Sequence, residues 1–298
     1  MGDRSWDVVI DALPERRVER ACLVLGLHRR HDTVVAVLDA DAGEFVRVPE
    51  IEDGLHSLAL YRDGTRLLLG RSGGGHSLLT LATGWRQPLP GEPGLAAPSP
   101  DGRDLAVLSP GTDEVGDDTV SVSVSRIGTP GARRLWRAPG GWSEESAINW
   151  SPDGRLLAAT YLDPDEEIAA VILDAADGTV LGHHPQMGTV GGPGGAWLSE
   201  RGLLLYDEYA GDDEAWTLQD PYNGGSRGPD RLPGALMAVV GDRIIRYVHD
   251  AGFLRFVTTD MDGGGLRPFI TVPPGSTFWR LDVAPPVLLE LWAAAASR

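Results

Sequence analysis

Short apolar runs alternate with turn-forming residues along most of the chain. The segment NWSPDGRLLAAT (149–160) shows the unit clearly. Pro152 presets φ at the first corner of a turn, Asp153 can accept a bond from its own backbone, and Gly154 tolerates positive φ. The pattern therefore predicts a hairpin made of two strands. These are Ser146–Trp150 and Arg155–Thr160.

The same unit returns at intervals that fit a repeat. Residues 99–108 read SPDGRDLAVL, and 61–70 (YRDGTRLLLG) and 197–206 (WLSERGLLLY) are looser copies. The turn glycines of the four copies follow one another at steps of 38, 52 and 48 residues. A second hairpin lies between corners, as at 168–183. Four strands in about 40–50 residues are typical of a propeller blade.

This count predicts an all-β, six-bladed β-propeller that uses residues 1–298 as a single domain. Three N-terminal strands lack an inner strand, and we expect them to pair with the C-terminal strand Phe278–Val283 and close the ring. Seven blades are the alternative, which requires a strand at Val287–Leu291. Helix-like periodicity is confined to Leu13–Arg20 and Leu288–Ala296. The expected inner strands begin near His56, Leu95, Ser146, Ala196, Leu236 and Phe278, and the N-terminal strands are Cys22–Leu27, Thr33–Asp39 and Glu44–Val48.

NWSPDGRLLAAT and SPDGRDLAVL resemble the WD-like repeat of TolB-type six-bladed β-propellers. The likeness runs from about residue 50 to 250 and is close in these two copies only. The resemblance implies a six-bladed propeller. It also implies a domain that binds other proteins or that sits beside a catalytic domain. No GxSxG elbow of an α/β-hydrolase accompanies it.

The composition narrows the range of partners. The formal charge is −17, with 43 acidic against 26 basic residues, all of the latter arginine. Such a surplus disfavours nucleic acids and anionic membranes, and it favours a basic protein surface or a cationic small ligand. The N-terminal residues do not read as a secretory signal, so we expect a cytoplasmic monomer. The single cysteine, Cys22, opens a strand and is predicted to be a core residue.

Propeller topology sorts the loops onto two faces. Numbering strands a to d outward from the axis, the SPDG turns join strands a and b on one face, here called the corner face. The b–c and d–a connections lie on the other, the loop face. Most acidic clusters and five of the seven histidines fall on the loop face. The candidate ligand-binding residues there are His56, Trp142, Glu144, Glu145, Trp197 and Trp279.

Two functions fit these residues. The first is a non-catalytic recognition propeller that presents the acidic, histidine-bearing loop face to a basic protein or cationic ligand. The second is a stand-alone lyase, hydrolase or lactonase-like enzyme acting on a small molecule in a specialised pathway. In that enzyme His249, Asp250 and His76 would be the catalytic residues, with Mg²⁺ or Ca²⁺ as an optional divalent ion. No histidine pair has the spacing of a strong metal motif, and the acidic loops 112–118 and 163–167 lack the EF-hand pattern.

Overall fold

The structure is a computed structural model, and it describes most of the chain between residues 5 and 297. The backbone ranges outside the description are 30–31, 50, 52, 72–73, 90–92, 144–145, 190–196, 199–201, 208–214, 221–224, 232–234, 251–252, 261–262 and 275–276. Side chains of 29, 189, 198, 202–207, 215–220, 225–231, 235–236, 249–250 and 296 are likewise outside it.

Strands dominate the described residues, which confirms the all-β prediction. In chain order they are β1 (Trp6–Asp7), β2 (Ala21–Arg29), β3 (Asp32–Asp39), β4 (Phe45–Arg47), β5 (Leu55–Leu60), β6 (Arg66–Arg71), β7 (His76–Thr80), β8 (Arg86–Leu89), β9 (Leu95–Pro98), β10 (Asp104–Thr112), β11 (Asp118–Arg126), β12 (Ala132–Pro139), β13 (Ala147–Trp150), β14 (Leu156–Leu162), β15 (Ile168–Asp174), β16 (Val180–Pro185), β17 (Met187–Thr189), β18 (Trp197–Leu198), β19 (Gly202–Asp207), β20 (Ala215–Asp220), β21 (Gly225–Arg231), β22 (Ala235–Val240), β23 (Arg243–Asp250), β24 (Phe253–Asp260), β25 (Arg267–Val272) and β26 (Thr277–Val283).

Within the described chain these strands form six sheets. Sheet I is β26-β2-β3-β4, and β26 pairs with β2 in antiparallel register from Leu23↔Val283 to His28↔Thr277. Sheets II, III and IV are the consecutive sets β5–β8, β9–β12 and β13–β16. Sheet V contains β17–β21, and sheet VI contains β22–β25 with β1 added in parallel along β25. Inner strands of neighbouring sheets contact one another from II to III, from III to IV, from I to II and from VI to I.

The two SPDG corners are built by the same hydrogen bonds. Ser99 Oγ donates to Asp101 Oδ1 at 2.7 Å and accepts the backbone N–H of Asp104 at 2.9 Å. Ser151 Oγ repeats both contacts with Asp153 and the N–H of Leu156, at 2.6 and 2.8 Å. The turn glycines of these corners have φ of +69° and +72°, the left-handed region that glycine enters at little cost. The predicted corner is therefore confirmed in both copies.

The core lies in the wedges between sheets. One buried apolar cluster joins sheets VI, I and II, a second joins II and III, and a third joins III and IV. Cys22 is fully buried in the first of them, as predicted, and its Sγ donates to Leu38 O. Burial raises the pKa of the Cys22 thiol to about 12, so it stays protonated at neutral pH.

One helix, α1 (Pro285–Ala296), follows β26. It includes the segment 288–296, which was predicted to be helical. It also includes residues 287–291, so the strand that a seventh blade would need is not formed. The helix prediction for Leu13–Arg20 is wrong. That segment follows a single 3-10 turn (Ile10–Ala12) and runs extended along β4, where Arg47 N donates to Pro14 O. No helix in the described part of the chain is long and apolar enough to cross a bilayer.

Candidate functional site

Two histidines of the loop face converge on one backbone carbonyl. His56 Nε2 and His76 Nε2 each lie 2.9 Å from Gly94 O, and their ring centroids are 6.4 Å apart. Because a carbonyl oxygen only accepts, both Nε2 atoms must carry a hydrogen. Two sequence-predicted site residues are thus brought together, and we call them the histidine pair.

Glycines make room for this pair. A Cβ on Gly94 would lie 2.2 Å from Leu108 O, so no side chain fits beside the shared carbonyl. A Cβ on Gly70 would lie 3.0 Å from His76 Cδ2. His56 is the extra residue of a β-bulge, since Leu55 pairs with Arg71 and Ser57 with Gly70. Nothing in the sequence singled out Gly70 or Gly94, because the residues that crowd these glycines belong to other strands.

Burial governs the chemistry of the histidine pair. His76 is 3% exposed, and its pKa is lowered by desolvation, with a smaller lowering from nearby His56 and an opposing contribution from the bond to Gly94. His56 Nδ1 is buried and has no hydrogen-bond partner among the described residues. The buried ring of His76 is therefore held in place by its bond to Gly94 O.

Aromatic rings flank the histidines on this face. Trp142 meets His56 edge-on at 6.1 Å and keeps 37% of its surface exposed. Trp279, the extra residue of a second bulge, stacks on His28 at 5.6 Å, and Gly26 leaves space for its ring. Trp142 therefore lies beside His56, and Trp279 lies beside His28.

The remaining predicted loop-face residues fall partly or wholly outside the described part of the chain. Glu144 and Glu145 lie outside it altogether. His249 and Asp250 end β23, where His249 is paired with Leu254 and Asp250 with Phe253, but their side chains are not described.

The structure places Trp197 at the opposite mouth from the one expected. The inner strand of sheet V is split into β17 and β18, and both pair with β19. Trp197 pairs with Leu203, one residue past the start of β19, so it sits at the corner end of the sheet. It is 6% exposed, and within the described part of the chain its Nε1 is buried without a hydrogen-bond partner.

A central cavity opens on the corner face, and we call it the funnel. Its volume is about 280 Å³. Each of the six sheets contributes the end of its inner strand, and α1 adds Leu289. The residues from sheets I to VI are, in order, Val283, Leu60, Pro98, Trp150, Trp197 and Val239. Apolar walls of this kind bind apolar groups in small-molecule and peptide sites.

The sequence contained a signal for the funnel that the loop-based argument did not use. The inner strands of sheets II, III and IV end in Leu60, Pro98 and Trp150, which are apolar residues that come before the corner. Corners of a ring lie around one axis, so these side chains meet.

Two of the acidic loops of the loop face are held by their own aspartates. Asp113 Oδ1 accepts the N–H groups of Val115 and Asp117 at 2.9 and 3.0 Å. Asp163 Oδ1 does the same for Asp165 and Glu167 at 2.9 and 3.1 Å. These carboxylates cap turns. Among the described side chains, no three histidine, cysteine, aspartate or glutamate residues converge as metal ligands would.

Comparison with known proteins identifies the architecture. No protein-family model and no curated protein sequence matches the chain. Among solved structures, TolB from Acinetobacter baumannii superposes with a TM-score of 0.65 at 16% identity, covering 89% of this chain and 67% of that one. The fold is that of a TolB-type β-propeller.

Other propellers match this TolB-type fold as well. An oligogalacturonate lyase in complex with manganese gives a TM-score of 0.59 at 13% identity, over 85% of this chain and 77% of the lyase. A nidogen/laminin complex gives 0.57 at 16% identity, over 88% of this chain and 98% of that one. At these identities the similarity concerns the fold alone, and binding proteins and enzymes both share it.

Proposed function

We propose that the protein is a non-catalytic recognition propeller whose ligand is a basic protein segment bound at the corner face. One observation carries this proposal, namely that all six sheets send apolar inner-strand ends into one funnel. A cavity of about 280 Å³ accommodates one large apolar side chain or a pair of smaller ones. The formal charge of −17 favours basic partners and speeds their encounter.

We infer further that the six sheets are the blades of one closed ring. The pairing of β26 with β2 joins the two ends of the chain in sheet I, and the shared funnel requires the inner strands to surround a common axis. A closed ring gives a rigid mouth, and rigidity lowers the entropic cost of binding.

This proposal moves the binding surface from the loop face to the corner face. On the loop face, the histidine pair is tied to Gly94 and the acidic loops 112–118 and 163–167 are tied to their own backbones. The corner face instead offers an apolar depression that is lined by Trp150 and Trp197.

Selection from a displayed library of random 12-residue peptides tests the function. Leu289 is 41% exposed on α1 and lines the funnel, whereas Leu266 is 59% exposed and does not. Wild type and Leu266→Arg should enrich the same peptides, which carry a large apolar residue and net positive charge. Leu289→Arg should not enrich them, because it places a like charge at the mouth.

Equal enrichment on Leu289→Arg would remove the funnel from the binding surface. Failure of the wild type to enrich any peptide would contradict the recognition function. Circular dichroism of both variants is the matched control for folding, since both leucines are exposed and neither change should alter the melt.

A further inference from the structure

One charged side chain lines the funnel. Among the described residues of its wall all but three are apolar, and the three are Arg62, Ser99 and Gly241. The hydroxyl of Ser99 is used by its own corner, where it donates to Asp101 Oδ1 and accepts the backbone N–H of Asp104. A ligand in the funnel therefore meets an apolar wall with a single cationic group, the guanidinium of Arg62.

Arg62 extends across part of the mouth of the funnel. It is exposed at the corner of sheet II, and its Nη1 donates to Pro152 O at the corner of sheet IV at 3.0 Å. Sheet III lies between these two sheets, and its corner residue Pro100 also lines the funnel. In the described part of the chain, Nε and Nη2 of Arg62 have no hydrogen-bond partner. This edge of the guanidinium matches the two oxygens of a carboxylate.

The carboxylate next to Arg62 along the chain is used by other groups. Asp63 Oδ1 accepts the backbone N–H and the hydroxyl of Thr65 at 2.9 and 2.8 Å, and its Oδ2 is 3.8 Å from Arg66 Nη2. Among the described residues, no carboxylate forms an ion pair with Arg62. Its charge is therefore available to an anionic group of a ligand at the mouth.

The distance between apolar wall and cation suits one residue that carries both an apolar side chain and a carboxylate. Leu60 lines the funnel at the end of its strand, and Arg62 follows two residues later, so their Cα atoms are about 7 Å apart or less. In the last residue of a protein chain the side chain and the α-carboxylate leave the same Cα atom. Such a residue reaches both the funnel wall and the guanidinium, and the cavity of about 280 Å³ has room for its side chain.

We propose that the funnel binds the C-terminus of a protein partner, with the last, apolar side chain in the cavity and the α-carboxylate on the Nε–Nη2 edge of Arg62. The inference rests on the proposed function and specifies which part of the basic segment is bound. The formal charge of −17 opposes the approach of a carboxylate alone, and basic residues before the terminus offset that repulsion. A peptide is therefore favoured over a free apolar acid.

The test uses two probes that differ in one charge: acetyl-arginyl-alanyl-leucine with a free carboxylate, and the same tripeptide as its amide. Both are titrated into ¹⁵N-labelled protein, and the backbone amide signals of Gly241 and Leu289, which line the funnel, report binding. The wild type should prefer the acid by about three- to fivefold, the range of one exposed charge contact. Raising the salt concentration should reduce this preference.

A matched pair of variants assigns the preference to Arg62. Arg62→Gln should abolish it, and Arg62→Lys should keep part of it, because an ammonium group retains the charge and lacks the planar fork. Arg103→Gln is the control. Arg103 is an arginine of the sheet III corner whose side chain is 70% exposed, and it does not line the funnel. This change removes the same charge from the same face and should leave the preference unchanged.

Each outcome has a separate meaning. An acid-to-amide preference that is unchanged in Arg62→Gln, or lost equally in Arg103→Gln, overturns the C-terminal site. Equal binding of 4-methylpentanoate, which has the leucine side chain and a carboxylate but no peptide, overturns it as well. If both tripeptides shift the funnel signals with equal affinity, the recognition function stands while this inference falls. If neither tripeptide shifts them, this inference falls, and the peptide selection alone decides the recognition function.

Discussion

At the scale of single residues, the corner glycines differ in what surrounds them. Gly64 and Gly154 occupy the same place in their repeats and have φ of +74° and +72°. A Cβ on Gly64 would lie 2.3 Å from Ala21 O, whereas a Cβ on Gly154 would meet only Pro100 Cδ at 3.7 Å. Gly64 also accepts the backbone bond of Ala21, which links sheets I and II.

Alanine substitutions at these two glycines should therefore separate two costs. Gly154→Ala adds the left-handed strain alone and should lower the free energy of unfolding by about 1 kcal/mol. Gly64→Ala adds a backbone collision and should lower it by about 3 kcal/mol. Urea melts followed by circular dichroism measure both. Equal losses would mean that the Ala21 contact does not restrict Gly64.

The sequence predicted the cost of left-handed strain at these glycines, but it did not predict the collision with Ala21. SPDG and RDG read as turns whose glycine needs positive φ, because that requirement is local. The contact of Gly64 with Ala21 joins two sheets and has no local signal. The same holds for Gly94, whose carbonyl holds His56 and His76, although the histidines themselves were predicted candidates.

At the scale of elements, α1 packs against the sheets through one side. Leu288 is fully buried and Leu289 is 41% exposed, although they are adjacent. Leu288 belongs to the cluster between sheets VI, I and II, and Trp292 packs on Phe269 at 5.9 Å. Pro285 and Pro286 start the helix, where a missing N–H costs nothing.

Alanine at the two leucines gives a matched pair. Leu288→Ala should lower the free energy of unfolding by about 3 kcal/mol, because it leaves a cavity in a packed cluster. Leu289→Ala should change it by no more than about 0.5 kcal/mol. Thermal melts of the two variants check this. Similar losses would mean that the helix packs against the sheets differently from the structure.

The helix was predicted from its periodicity, but the contribution of Leu289 to the wall of the funnel was not. Periodicity indicates which residues share a face of a helix, and it contains no information on what lies beyond the exposed face. Leu289 enters the funnel only because β26 ends on the corner face, which is a property of the strand pairing. The strands at the N-terminus were predicted to within two residues, because the continuous apolar runs that mark them are a local feature of the sequence.

At the scale of the whole molecule, the recognition and enzyme hypotheses differ in their need for a metal. Both Nε2 atoms of the histidine pair are committed to Gly94, and the described side chains contain no converging trio of ligands. The recognition function therefore predicts that no divalent ion stabilises the fold selectively.

A thermal melt with chelator and then with excess Mg²⁺, Ca²⁺, Mn²⁺ or Zn²⁺ measures this directly. An ion at one hundred times its dissociation constant adds about 2.7 kcal/mol, or roughly 5 °C for a domain of this size. We expect the midpoint to stay within about 1 °C. A selective rise for one ion would favour the enzyme hypothesis and direct attention to His249 and Asp250.

Sheet I also has a consequence for biosynthesis. Leu23 and its partner Val283 are separated by 260 residues, which ribosomes translate in about 13–50 s. During that interval β2 has one unpaired edge, and such edges recruit strands from other chains. The contacts that complete sheet I also have very high contact order, which slows folding. Nascent chains of this protein should therefore depend on a holding chaperone more than their final stability would indicate.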